Sequence, residues 1–155
     1  MTIDRALQAA EGYGELGMFQ DAMKELDTIP EEYQRELKVA QIRMFTLLRF
    51  KQWRLALEVS QVLCKDHPDQ PVGYIHAAFC LHELGNTLEA REMLINGPQS
   101  LLNEATYYYN LACYNAVLGE TKQARAYLKT SFKMNKKFRE LAENDPDLRA
   151  IWQEA

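Results

Sequence analysis

The sequence predicts an all-α protein built from stacked pairs of helices, and three observations support that prediction. Apolar residues recur at spacings of three and four, and no segment alternates cleanly as a β-strand would. One position recurs every 34 residues and holds Gly17, Lys51, Gly85 and Gly119. Five residues further on, the same step holds only alanine, at Ala22, Ala56, Ala90 and Ala124. A fixed period of this length indicates a solenoid of helix–turn–helix units.

The best copy of the repeating unit is residues 107–128, YYYNLACYNAVLGETKQARAYL, with two helical patterns hinged at Gly119. With the 34-residue step, it resembles the tetratricopeptide repeat family, whose units place a small residue near the turn and an alanine after it. The resemblance implies a right-handed α-α superhelix of four repeats, at about residues 3–36, 37–70, 71–104 and 105–138. A capping helix at about 139–155 would complete a single domain spanning residues 1–155.

The composition is typical of a soluble globular domain rather than of a disordered chain. Of 155 residues, 47% are hydrophobic and 26% are charged, which is enough apolar sequence for a substantial core. The net charge of −4 argues against nucleic-acid binding, which needs a clustered basic surface. The first 36 residues contain three basic and nine acidic residues, a net of −6, so the remainder carries about +2. We interpret the acidic end as a solvated surface.

The sequence also favours a cytoplasmic location. The opening residues MTIDRALQAAEG have no basic region followed by an apolar one, so no signal peptide is expected. No run approaches the eighteen or so apolar residues of a membrane span. The cysteines Cys64, Cys80 and Cys113 are odd in number and widely spaced, which suits a reducing compartment.

The first two repeats depart from the family pattern. The inward face of the opening helix is mostly alanine, with Ala6, Ala9 and Ala10 before Tyr13. Small side chains there suit a terminal repeat that stacks on one side only. In the second repeat, Lys51 replaces the hinge glycine and Arg43 stands at an expected packing position. Either the head of Arg43 reaches the edge of the stack, or this helix is rotated or longer than the standard one.

The last two repeats fit the pattern better and lead into a cap. In the third, Asn96-Gly97-Pro98 is a strong stop signal, so its second helix should be short. The fourth keeps a full set of packing residues, Tyr108, Leu111, Ala112, Tyr127, Leu128 and Phe132. Beyond it, Asn144-Asp145-Pro146 should break one capping helix and begin another. The apolar residues that would fold back on the last repeat are Leu148, Ile151 and Trp152.

A candidate peptide-binding groove follows from the resemblance, because the first helices of successive repeats line the concave surface in this family. The apolar candidates, found by stepping 34 residues at a time, are Phe45, Leu48, Ile75, Phe79 and Tyr109. The polar candidates at its edges are Gln41, Arg49, His82 and Asn110. Aromatic residues in such a groove favour an apolar peptide or an amphipathic helix. The alternative is that the cap or a second copy of the chain closes the same surface.

These residues predict a non-enzymatic protein-interaction module, which acts as an adaptor or scaffold. Some family members clamp a peptide's C-terminal carboxylate with cations, but the matching positions here, Leu7, Glu11, Tyr109 and Cys113, include none. Arg49 alone is too little for such a clamp. Two other functions stay open: a chaperone for a secreted substrate, suggested by length and architecture, and a self-associating structural module. A homo-oligomer is therefore possible, whereas no membrane partner is expected.

The sequence offers little for catalysis, a metal or a cofactor. His76 and Cys80 share a helix face, but His82 lies six residues from His76, about 240° around the helix. Two ligands on one face fall short of the four that a structural zinc needs. No Ser-His-Asp arrangement, glycine-rich phosphate loop or H-E-x-x-H run is present. We therefore expect no enzyme activity, no metal and no cofactor.

Overall fold

The computed structural model describes residues 3–153, and these form ten α-helices and no strand. The four helix pairs are α1 (Ile3–Glu15) with α2 (Phe19–Asp27), α3 (Leu37–Arg49) with α4 (Trp53–Asp66), α5 (Pro71–Glu83) with α6 (Thr87–Ile95), and α7 (Ala105–Val117) with α8 (Thr121–Met134). Short 3-10 turns follow α2 at Glu31–Tyr33 and α6 at Gln99–Asn103. The C-terminal segment, here called the cap, contains α9 (Lys137–Glu143), a 3-10 turn at Pro146–Leu148 and α10 (Arg149–Gln153). Residues 1–2 and 154–155 of the predicted domain lie outside the described residues.

The same tight turn joins the two helices of every pair. The hinge residue has a positive φ each time: 76° at Gly17, 58° at Lys51, 90° at Gly85 and 84° at Gly119. The amide of the next residue donates to the carbonyl oxygen five positions before it, across 2.8–2.9 Å in all four repeats. This left-handed helix end is the Schellman motif, which favours glycine because a Cβ is strained there. Lys51 adopts the conformation without being a glycine.

The four alanines found by the 34-residue step are all fully buried in the packing of the helices. Each of them, Ala22, Ala56, Ala90 and Ala124, has a relative exposure of 0%. A larger side chain would push the two helices of a pair apart. The repeated hinge and the repeated alanine are therefore two parts of one packing unit.

The largest apolar core lies in the last two repeats and the cap. Its fully enclosed members include Leu94, Leu101, Leu111, Tyr114 and Leu148. The first two repeats instead contain three smaller clusters, centred on Leu26 with Val39, on Met44 with Leu63, and on Leu47 with Ala56. Apolar burial is therefore concentrated toward the C-terminal end.

Arg43 reaches the edge of the stack, which is the first of the alternatives that the sequence allowed. Its Nη2 donates to Oδ1 of Asp27 across 3.0 Å and to Oε1 of Gln34 across 2.9 Å. Gln34 in turn donates to the carbonyl oxygens of Leu26 (2.9 Å) and Ile29 (2.8 Å) at the end of α2. The junction between the first two repeats is thus held partly by polar contacts.

The cap folds back on the fourth repeat. Leu148 and Ile151 are buried in the main core. Trp152 is half exposed, and its indole N–H donates to the carbonyl oxygen of Ala142 across 3.1 Å. Asp145 precedes the 3-10 turn and accepts a hydrogen bond from the amide of Asp147 across 3.0 Å, which fixes the break between α9 and α10.

Candidate functional site

A cavity of about 400 Å³ opens on the concave side, between α3, α5, α7 and the cap. Six of the nine candidate groove residues line it: Leu48, Ile75, Phe79, His82, Tyr109 and Asn110. The cap contributes Phe138, Leu141, Asp145 and Asp147 as the opposite wall. The structure therefore brings most of the candidates together, but it adds a wall from the C-terminal segment.

The remaining three candidates lie outside this cavity. Phe45 and Arg49 line a smaller concavity of about 90 Å³, where they face Glu11 and Glu15 of α1. Gln41 is half-buried on α3 and lines neither of these two cavities. The polar edge that the sequence suggested is therefore divided between separate places.

An exposed aromatic patch joins the two concavities at the second and third repeats. Phe45 is 42% exposed, and its ring meets the ring of His76 edge-on at a centroid distance of 5.1 Å. Phe79 is half-buried and packs edge-on against Trp53 of α4 at 5.6 Å. Phe45 is thus the more accessible of the two phenylalanines, whereas Phe79 also supports the helix behind it.

His76 presents a neutral ring to this patch. Its Nδ1–H donates to the carbonyl oxygen of Val72 across 2.8 Å, one turn earlier in α5. Burial lowers the pKa of His76 below its usual value, and the bond to Val72 only partly opposes that shift. The patch therefore carries no charge of its own near pH 7.

At the fourth repeat, the cap covers the concave surface. Tyr109 is only 4% exposed, and its hydroxyl donates to Oδ2 of Asp145 across 2.6 Å. Its ring also stacks on Phe138, with centroids 4.9 Å apart. The Cys113 thiol lies 3.6 Å from the same oxygen of Asp145. Burial, followed by the Asp145 carboxylate, raises the pKa of Tyr109, so its hydroxyl stays protonated.

His82 makes a second contact with the cap. Its Nε2 lies 2.9 Å from Oδ2 of Asp147, and its Nδ1 lies 2.9 Å from the hydroxyl of Thr87. The hydrogen bond to Asp147 raises the pKa of His82, against an opposing effect of burial. We call the contacts of Tyr109, Cys113 and His82 with the two aspartates the cap latch. Two candidate contact residues, Tyr109 and His82, are therefore engaged within the chain.

The latch also contains the metal-type cluster found within residues 3–153. Atoms of Cys113, Asp145 and Asp147 suited to bind a metal lie within 4.8 Å of one another. Burial and the neighbouring carboxylates raise the pKa of Cys113, which favours a protonated thiol, a poor ligand. Both carboxylates already accept hydrogen bonds from the chain, so we assign the cluster to holding the cap. His76 and Cys80 do not belong to it.

Sequence reasoning missed the two aspartates as part of this surface. The Asn144-Asp145-Pro146 pattern predicts the helix break but does not by itself connect the carboxylates to the groove. A usable signal existed, because Asp145 and Asp147 flank the point where the chain must turn back toward the fourth repeat.

No helix among residues 3–153 is long and apolar enough to cross a membrane.

Comparison with known proteins identifies the fold. No family model matches the sequence, and no curated protein is significantly similar to it. A solved structure described as "MamA RS-1 ArsTM double mutant" superposes with a TM-score of 0.72, covering 87% of this chain and 76% of that chain at 17% identity. A second, "MamA MSR-1 C2", gives a TM-score of 0.70 over 89% and 79%, also at 17% identity. The chain has a tetratricopeptide-like repeat fold. The predicted all-α solenoid is confirmed, and identity this low shows the fold alone.

Proposed function

We propose that this protein is an interaction module, an adaptor or scaffold, that binds an apolar or helical segment of a partner protein. The site is the concave face of the second and third repeats. The observation that carries the proposal is the exposed ring of Phe45 against His76, because His76 lines the 400 Å³ cavity together with Phe79. A soluble protein gains little by leaving such a patch uncovered, and patches of this kind commonly mark interaction sites.

The energetics of the patch suit a peptide ligand. Full burial of a large apolar side chain contributes roughly 1.5–3 kcal/mol, so two or three anchors are enough for specific binding. The cavity beside the patch is lined by Leu48, Ile75 and Phe79, and it can receive one bulky side chain of the ligand. The cap limits the site at the fourth repeat, which leaves α3 and α5 as the binding helices.

The interior of the protein suits a cytoplasmic location, which belongs to the same proposal. Cys64, Cys80 and Cys113 are free, and none forms a disulfide with another. Burial raises the pKa of Cys64 and of Cys80 to about 11, so both thiols are protonated and weakly reactive. A protein of this kind needs no oxidising compartment.

The test is affinity capture from source-cell lysate with quantitative mass spectrometry, comparing wild type with Phe45→Ala. The matched control is Leu55→Ala, because Leu55 is 46% exposed on α4, outside the groove. We expect a partner that wild type and Leu55→Ala both retain and that Phe45→Ala loses. With the purified partner segment, the Phe45→Ala affinity should fall by roughly tenfold or more, the equivalent of about 1.4 kcal/mol.

Equal capture by all three proteins would contradict the groove assignment. Recovery of the protein itself as the sole specific partner would favour the self-associating alternative. A captured partner that aggregates when this protein is removed would instead identify a chaperone.

A further inference from the structure

A second cleft, of about 950 Å³, lies between α8 and the cap and shares no lining residue with the concave cavity. Its apolar lining comes from Leu128 and Phe132 of α8 and from Ile151 and Trp152 of α10. Leu128 and Ile151 are buried, whereas Trp152 is half exposed. The floor of the cleft is therefore apolar, and the apolar surface extends to the edge where Trp152 lies.

The rim of this cleft is strongly basic. Residues 121–139 contain seven basic residues and no acidic one. Five of the seven line the cleft, namely Arg125, Lys129, Lys133, Lys136 and Arg139, and no acidic residue of the described chain joins them there. In a protein with a net charge of −4, this is a local concentration of the opposite sign.

Two of these cations are used inside the protein. Arg125 donates to the carbonyl oxygen of Ile151 across 3.3 Å and thereby holds α10 to α8. Arg139 lies over the ring of Phe132, with its guanidinium carbon 5.3 Å from the ring centroid. The other three, Lys129, Lys133 and Lys136, make no ion pair with any carboxylate of residues 3–153. Three free ammonium groups therefore face the opening.

Two of the three lysines are spaced by one helical turn. Lys129 and Lys133 are one turn apart on α8, and Lys136 follows just beyond its last residue. Lys129 and Lys133 are therefore about 6 Å apart along the axis of α8, at 1.5 Å per helical residue. A helical ligand with carboxylates at positions i and i+4 presents two charges over the same length, and a third at i+8 extends toward Lys136.

We infer that this cleft is a second docking site, which takes an acidic amphipathic helix of a partner protein. The carboxylates of that helix meet Lys129, Lys133 and Lys136, while one or two of its large apolar side chains cover Phe132 and Trp152. Two docking sites on one chain would allow it to bridge two partners.

The shape of the cleft selects this occupant. An anionic membrane surface would meet the lysines but could not follow the apolar residues into the recess. The overall negative charge and the short basic stretch also disfavour nucleic acid, which needs an extended basic surface. An inserted helix satisfies the charges and the apolar floor together.

The test uses a fluorescein-labelled synthetic helix that carries glutamate at i, i+4 and i+8 and leucine on the adjacent face. Binding is followed by fluorescence anisotropy with the full chain. The test variant is Lys129→Glu/Lys133→Glu; the matched control is Lys122→Glu/Lys137→Glu, which changes the charge equally at exposed positions outside the cleft. We expect saturable binding to wild type and to the control, at least roughly tenfold weaker binding to the test variant, and weakening with salt.

Several results would overturn the inference. They are an absence of saturable binding, equal weakening by the control variant, and equal affinity for a scrambled helix of the same charge. Binding of the chain to anionic vesicles but not to the helix would assign the cleft to membranes. Salt-sensitive self-association in sedimentation experiments, abolished by Lys129→Glu/Lys133→Glu, would assign it to a second copy. Phe45→Ala should leave helix binding unchanged, which separates this site from the concave groove.

Discussion

The first two repeats and the last two share one backbone plan but differ in how they bury their apolar residues. All four hinges have the same left-handed turn and the same enclosed alanine. In the last two repeats, the buried apolar residues form a single large core that continues into the cap. In the first two, the buried residues fall into three small clusters. A shared backbone plan thus does not imply shared stability.

The junctions between repeats show the same contrast. Between the first and second repeats, Arg43 and Gln34 make polar contacts at the edge of the stack. Between the third and fourth repeats, Arg91 donates to Oδ1 of the buried Asn115 across 3.0 Å, next to residues of the main apolar core. Because the stability of a solenoid is a sum over repeats and their interfaces, we expect it to rise toward the C-terminus.

The concave surface follows this division. At the fourth repeat the cap latch closes it, whereas at the second repeat Phe45 stays exposed and lines a concavity with Glu11 and Glu15 of α1. The open part of the groove therefore lies next to the less consolidated half of the molecule. If the proposed groove binds a ligand, local opening of the first repeat would be the least costly way to enlarge it.

The largest effect should come from placing a charge in the C-terminal core. Ala124→Glu forces a carboxylate between α7 and α8 at a position with no exposed surface, which should cost about 4 kcal/mol of folding free energy. Lys122→Glu, two residues earlier and exposed, should change it by less than about 0.5 kcal/mol. Urea denaturation of the three proteins measures both values.

Ala22→Glu sharpens the comparison of the two halves. The same change in the first repeat should release that repeat locally, so hydrogen exchange would rise in α1 and α2 while α7 and α8 stay protected. If Ala124→Glu and Lys122→Glu proved equally harmless, the packing of the alanines would be wrong. If Ala22→Glu raised hydrogen exchange in α7 and α8 as much as in α1 and α2, the two halves would form one cooperative unit.

The fold could be predicted from the sequence because its determinants are periodic and local. The 34-residue step, the hinge glycines and the alanines each act within one helix pair, so the linear pattern shows them directly. Even the exception at Lys51 was visible as a departure from that pattern. Such predictions are well supported in a repeat fold, because the same pattern must recur in every unit.

The site was less predictable, because its decisive contacts are long-range. Tyr109 meets Asp145 and His82 meets Asp147 across 36 and 65 positions of the chain. No periodic pattern indicates where a non-repeating cap will pack. The step of 34 residues placed Tyr109 and His82 on the concave side, but it could not show that the cap would occupy them. The assignment of the remaining residues to a partner stays a prediction.

A smaller effect is expected from the latch, which should depend on pH through His82. The pKa of His82 is raised in the folded protein, so the stability that its bond to Asp147 contributes is complete below the ordinary value of about 6.5. That contribution is lost as the pH rises through the raised value. Asp147→Asn should therefore cost about 1–2 kcal/mol at pH 6 and less at pH 8.

The measurement must separate His82 from other titrating groups. Glu83 and Asp145 also act on His82, and both raise its pKa as Asp147 does. His76 contributes with the opposite sign, because its lowered pKa removes stability as the pH falls. The relevant quantity is the difference between wild type and each of Asp147→Asn and His82→Gln in hydrogen exchange of α9 and α10 at each pH, corrected for the intrinsic rates. An equal difference at pH 6 and pH 8 would rule out control by His82.

The smallest effect concerns the hinge that makes the second repeat unlike the others. Lys51 has a φ of 58°, and a left-handed backbone costs a residue with a Cβ about 1–2 kcal/mol. Lys51→Gly removes that strain. Glycine also increases the conformational entropy of the unfolded chain, which stabilises the unfolded state by roughly 0.5–1 kcal/mol. We therefore expect a net stabilisation of about 0.5–1 kcal/mol in chemical denaturation.

Lys51→Ala is the control for this prediction, because it removes the charge and the long side chain but keeps the Cβ. Lys51→Ala should leave the backbone strain in place and change stability little. Gly119→Ala should introduce the same strain at the hinge of the fourth repeat and lower stability. If alanine stabilised the protein as much as glycine, the φ angle would not be the cause. If Lys51→Gly also protected α3 and α4 from hydrogen exchange, this hinge would account for part of the weakness of the N-terminal half.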